Sequence, residues 1–143
     1  MDPKNKNVVI MAYQYSVVLK GIEVRLKERG YSVENITWDL DKVREIAERT
    51  SLFVVNVPVE INESIGMMDL LSAIASAVMA GRSDMIMIGE KSSRDILMEN
   101  HVALRAFEWV ERPVNMDDFI ELVDKMTGYA YKRDLLKVQK DLE

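Results

Sequence analysis

The chain has 143 residues, a formal net charge of −5, a single histidine and no cysteine. That length makes one domain with a core of its own. The absence of cysteine excludes disulfides, thiolate metal sites and cysteine nucleophiles, and it fits a reducing cytoplasm. His101 stands apart from other metal-ligating residues, so no metal site is expected. No Lys/Arg stripe offsets the acidic balance, which argues against direct nucleic-acid binding. No apolar run approaches the roughly 20 residues of a membrane span, and the start MDPKNKN is no signal peptide. The ten methionines read as adaptable core filling, with a Met-rich binding face as the alternative.

Val8 to Met11 form the first apolar run, ending at Ala12. From Ser16, the spacing of Val18, Ile22 and Leu26, with Glu23 and Lys27 outward, predicts an amphipathic helix closed by Gly30. Tyr31 to Ile36 alternates weakly, as an edge strand does. Leu40, Val43, Ile46 and Ala47 make a second helix, with Asp39 as its N-cap. Leu52 to Val55 is a continuous β-branched and aromatic run between Thr50-Ser51 and Pro58. A run that short and apolar on both faces reads as a strand buried on both sides of a parallel sheet.

Asn56 is the first polar residue at the end of that strand, where open α/β sheets place their chemistry. The third helical segment, Asn62 to Gly81, is apolar on most faces from Ile65 onward, as a deeply buried or partner-covered helix is. Met85 to Ile88 is a fourth strand ending at Gly89-Glu90, and Ser93 is the expected cap of a short fourth helix. Phe107 to Val110 is a fifth strand, followed by Arg112-Pro113. The last helix starts at Met116, with Phe119, Ile120, Leu122, Val123 and Met126 inward. Five strand-then-helix units predict a doubly wound parallel sheet, an α/β flavodoxin-like (βα)5 fold, over residues 1–128. Residues 129–143 form a C-terminal helical extension or linker. Its Tyr131, Leu135, Val138 and Leu142 fit either a short coiled-coil seam or packing on the same domain.

Several local patterns resemble the receiver domain of two-component response regulators over residues 7 to 127. They are VVIMA, LKERGYSV, LFVVN, GMMDLL, MIMIG and WVERPVNMDDFIELV, the last being the most specific. The resemblance implies an acidic pair after the first strand and a phospho-accepting aspartate ending the third, which together hold magnesium. It further implies a hydroxyl residue after the fourth strand and a lysine before a cis proline after the fifth. The chemistry is phosphoryl transfer to a carboxylate, with clustered positive charge at the phosphoryl oxygens.

At the matched positions this chain carries other residues. Ala12, Tyr13 and Gln14 stand in place of the acidic pair, and Asn56 in place of the acceptor aspartate. Gly89 replaces the hydroxyl residue, Arg112 the lysine, and Trp109 falls on the switch aromatic. Neither Met11 to Ser16 nor Val54 to Val57 contains an acidic residue, so a one-residue shift of register restores nothing. A hard divalent cation wants several anionic oxygens, and an amide forms no normal acyl phosphate.

The expected reading is therefore a degenerate pseudo-receiver that is no enzyme, takes no cofactor and acts through a protein partner or as a homodimer. The alternatives are a small-ligand or anion sensor lined by Tyr13, Gln14, Asn56 and Arg112, and a flavodoxin-like nucleotide-binding enzyme. The enzyme is disfavoured because no glycine-rich loop follows the first strand. Asn56 is read first as a hydrogen-bonded structural residue closing its strand, and Arg112 as gripping an anion, pairing with Glu90 or Glu111, or lying solvated. Trp109 is large enough for core or for a partner anchor, core being the favoured role. The partner surface is expected on the face of the fourth helix, fifth strand and fifth helix, in the region of Trp109, with the third helix mainly core. The Arg112-Pro113 bond is expected to be cis.

Overall fold

A computed structural model describes residues 4–129. The expected extension beyond Tyr129 lies outside the described residues. Five parallel strands, β1 (Asn7–Met11), β2 (Ser32–Ile36), β3 (Leu52–Asn56), β4 (Asp84–Gly89) and β5 (Glu108–Glu111), form one sheet in the order β2-β1-β3-β4-β5. Between and after them run α1 (Val17–Glu28), α2 (Leu40–Ile46), α3 (Ile65–Ala80), α4 (Lys91–Asn100) and α5 (Met116–Thr127). The flavodoxin-like (βα)5 architecture expected from the sequence is the one observed.

Period-two alternation along the central strands divides the core into two layers. Val9, Met11, Phe53, Val55, Met85 and Met87 face one way, against Val43 and Ile46 of α2, Leu71, Ile74 and Val78 of α3, and Leu97 of α4. Val8, Ile10, Leu52, Val54, Ile86 and Ile88 face the other, against Leu19, Ile22 and Leu26 of α1 and Phe119, Ile120 and Val123 of α5. Each fully buried aliphatic side chain of this kind contributes about 1.5–3 kcal/mol relative to exposure. Met11, Met85 and Met87 are completely buried, which bears out core filling for those three, whereas Met79 is exposed.

Local signals set the helix ends. Ser16 caps α1 through Leu19 N–H, Asp39 caps α2 through Lys42 N–H, Ser64 caps α3 and Asn115 caps α5. Gly30 follows α1 with a φ of 96°, a left-handed turn that glycine adopts without penalty. Two expectations need correction. Ser93 is not the cap of α4: the helix begins at Lys91 with Glu90 in the cap position, and Ser93 is buried in its first turn. The inward stripe of α1 is Leu19, Ile22, Glu23 and Leu26, so Val18 points outward and Glu23 inward. Ile22 and Leu26 keep their expected inward places, while Leu19 replaces Val18 and Glu23 joins the inward face, where Tyr15 and Asn35 meet it.

Among the described residues, no helix is long and apolar enough to cross a membrane.

Candidate functional site

Parallel register brings the ends of the central strands to one edge. Met11 lies opposite Val55, Asn56 opposite Ile88, and Gly89 opposite Glu111. The residues just beyond them, Ala12, Val57, Glu90 and Arg112, therefore crowd the same carboxyl edge. β3 adds one further rung, Val57 N–H donating to Ile88 C=O at 2.8 Å. Pro58, which has no N–H, then turns the chain into the short helical turn Val59–Glu63.

Arg112 fills the middle of this edge. Its Nη1 donates to Asn56 Oδ1 at 3.0 Å and weakly to Ile88 C=O at 3.5 Å, its Nη2 donates to Val57 C=O at 2.7 Å, and its Nε pairs with Glu90 Oε1 at 3.0 Å. The planar fork of the guanidinium suits four acceptors converging from the ends of two strands, β3 and β4. Of the two carboxylates expected as its partner, Glu90 is the one that holds it. This is also why Glu90, although in the cap position of α4, makes no capping hydrogen bond. Backbone Arg112 N–H donates to Gly89 C=O at 3.1 Å, and the Arg112-Pro113 bond is cis, as expected.

Gly89 is buried, and a Cβ built there would lie 2.6 Å from Cζ2 and 2.9 Å from Cη2 of Trp109. The indole thus occupies the space that any side chain at position 89 needs. Trp109 is half-buried and packs on the core layer of α2 and α3, with Nε1 buried and unpartnered among the described residues. Of the two roles the sequence leaves to Trp109, core and partner anchor, this packing supports core.

The remaining matched residues divide. Ala12 is buried in the layer under α1 and α5. Tyr13 is exposed and stacks on Trp38 with ring centroids 4.9 Å apart. Tyr13, Gln14 and Asn56 share a cleft of about 500 Å³ with Tyr15, Ser16, Pro58, Glu60 and Met67. A second cleft of about 630 Å³ lies beside it, lined by Val18, Ile88, Glu90, Arg112, Pro113 and Val114 among others. Ser16 and Asn56 belong to both. Among the described residues, no group of three or more His, Cys, Asp and Glu side chains is gathered as a metal site would need.

Sequence reasoning missed a second polar centre next to this edge. Glu23 of α1 is 4 % exposed and accepts from Tyr15 Oη at 2.6 Å, Asn35 Nδ2 at 2.5 Å, and Lys20 and Lys27 Nζ at 3.0 Å each. The hydrogen bond from Tyr15, followed by those from Asn35 and the two lysines, holds its carboxyl far below the usual carboxylate range. Burial, with Glu23 beside it, pushes the Tyr15 phenol up to about 12. The available signal was the pair of lysines three residues before and four after Glu23, which meet it on one helix face.

No protein-family model matches the chain, and no curated protein matches it in sequence. Solved structures do match in shape. A CheY-like protein from Pseudomonas aeruginosa PAO1 superposes with a TM-score of 0.63 at 10 % identity, over 84 % of this chain and 98 % of that one. The beryllofluoride-activated NtrC4 receiver domain dimer gives 0.60 at 17 % identity, over 87 % and 98 %. A response regulator receiver protein from Sinorhizobium medicae gives 0.59 at 10 % identity, over 85 % and 94 %. At such identities the likeness is one of architecture, and this chain has the flavodoxin-like fold of receiver domains.

Proposed function

We propose that this chain is a pseudo-receiver: a non-catalytic signalling domain of the two-component, phosphorelay type that works in the cytoplasm through protein contacts, without aspartyl phosphorylation. The observation that carries the reading is the Arg112 guanidinium, hydrogen-bonded to Asn56 and Glu90 at the head of β3. A receiver needs a carboxylate nucleophile there, a metal held by further carboxylates, and a free cation to meet the arriving phosphoryl group. Here the strand ends in an amide, the cation is already paired, and the neighbouring Gly89 has neither a hydroxyl nor room for one.

The two other readings find less support. An anion sensor would use Arg112, but Glu90 sits against it and offsets its charge. A nucleotide-binding enzyme would need a close backbone approach after β1, and Ala12 to Ser16 contains no glycine.

The test is incubation with acetyl phosphate and magnesium, read by intact mass, on the natural chain and on Asn56→Asp. Neither is expected to gain a phosphoryl group, because the acidic positions after β1 remain Tyr13 and Gln14 in both. An adduct on the natural chain would overturn the reading.

A further inference from the structure

The two clefts at the carboxyl edge differ in charge. In the larger one the charges of Arg112 and Glu90 cancel, and the rest of the wall is mainly apolar: Val18, Leu19, Ile88, Pro113 and Val114. In the smaller one Glu60 is the only charged side chain among the described lining residues, and no basic residue lines it. Glu60 is exposed and has neither an ion pair nor a hydrogen bond among the described residues. Two tyrosines line the same cleft, each positioned by contacts outside it: Tyr13 by stacking on Trp38, Tyr15 by its bond to Glu23. A phenol that donates to a carboxylate carries a more electron-rich ring, which suits a cation.

The apolar exposure of the molecule gathers at the same place. Nine large apolar side chains are exposed among the described residues. Six of them lie at the same two places: Tyr13, Tyr15 and Val59 on the β1–α1 and β3–α3 connections, and Val17, Val18 and Ile65 in the first turns of α1 and α3. A patch of that kind beside an unpaired carboxylate marks an interaction site with a preference for positive charge.

We propose that this edge binds a segment of a partner protein that places an arginine or lysine side chain among Tyr13, Tyr15 and Glu60, and an adjoining apolar residue in the neighbouring cleft against Val18 and Val114. The inference rests on the protein-contact reading above and names the partner's chemistry. The two fail separately, since the phosphorylation assay reads Asn56 whereas this one reads Glu60.

The experiment is a titration of the methyl-13C-methionine-labelled chain with the peptide acetyl-Leu-Arg-Val-amide, with the same peptide carrying neutral citrulline for arginine, and with agmatine. The Met67 methyl should shift saturably with the arginine peptide, while buried Met85 and Met87 stay put. The citrulline peptide and the variant Glu60→Gln should each weaken binding about tenfold. Glu63→Gln, the same charge change just outside the lining, should leave it unaltered. Agmatine binding more weakly than the peptide supports a protein segment as the source of the cation. Agmatine binding as tightly keeps the cation site but overturns the partner segment in favour of a free amine. Equal binding of the arginine and citrulline peptides, an equal effect of both glutamate variants, or no saturable shift at Met67 overturns the proposal, as does blockage of the edge by self-association of the free chain.

Discussion

Glu23 and Arg112 carry opposite charges, and four groups of the protein converge on each, yet they do different things. The Glu23 side chain is 5 % exposed and is bound by a phenol from the β1–α1 connection, an amide from β2 and two lysines of its own helix. It clamps α1 and the preceding connection onto the sheet edge. The Arg112 side chain is 27 % exposed, and its ion-pair partner Glu90 is 40 % exposed. It ties together the ends of β3, β4 and β5 at the mouth of the clefts, where water still reaches. The difference teaches that a paired charge in this fold is structural when it is sealed under a helix and a plug when it lies at the carboxyl edge. The stability effects should follow that order, with steric occupation of the edge larger than either.

The largest effect is expected for Gly89→Thr, which gives β4 the hydroxyl a working receiver would have. The added Cβ meets the Trp109 ring at a separation no side chain tolerates, so urea denaturation should show a loss of about 3 kcal/mol. Combining it with Trp109→Leu should cost less than the two single losses added together, because the indole is the obstacle. Strict additivity would mean that Trp109 is not what fills the space.

Glu23→Gln comes next, with a loss of about 2 kcal/mol at neutral pH from the charge-assisted bonds it gives up. The pH dependence sharpens the point. The folded-state pKa of Glu23 is depressed, so its contribution is complete above the unfolded carboxylate value, about 4.3, and is lost as pH falls below it. The Tyr15 phenol is raised to about 12, so its contribution is complete below the ordinary tyrosine value near 10 and is lost as pH rises toward 12. Stability curves of Glu23→Gln should therefore be flatter than those of the natural chain at both the acid and the alkaline end. Unchanged slopes would remove the clamp from the account.

The smallest effects belong to the plug. Arg112→Lys keeps the charge but not the fork, and should cost about 1 kcal/mol. Glu90→Gln should cost about 0.5 kcal/mol, since the pair is half open to water. If Glu90→Gln proved as costly as Glu23→Gln, the contrast between sealed and open charges would be wrong.

Much of the fold was legible because it depends on short-range pattern. The double-faced run Leu52 to Val55, the caps Ser16 and Asp39 and the turn at Gly30 each report a local physical need, and each matches the structure. The positions converging at the edge and the cis bond before Pro113 were legible through the resemblance, whereas the residues alone left Glu90 and Glu111 both open as partners of Arg112, and only the fold selects Glu90. What failed depended on contacts between distant segments. Glu23 reads as a solvent-facing residue until Tyr15 and Asn35 are brought over it by the turn of the chain. Trp109 reads as core or anchor, with core ahead, but where its ring lies is set by the missing side chain of Gly89, twenty residues earlier. Ser93 reads as a cap only if a loop separates β4 from α4, and Glu90 alone stands between them.

The central claim is that the carboxyl edge is already occupied by the protein's own groups and is held in one state. The most direct measurement is the Arg112 side-chain Nε–H resonance in 15N-edited spectra, followed while magnesium and acetyl phosphate are added together. The account predicts one resolved signal, absent from Arg112→Lys, that neither shifts nor splits through the titration. A second signal growing in, or a saturable shift of the first, would show a pocket that still receives its ligand and switches, and would contradict the account.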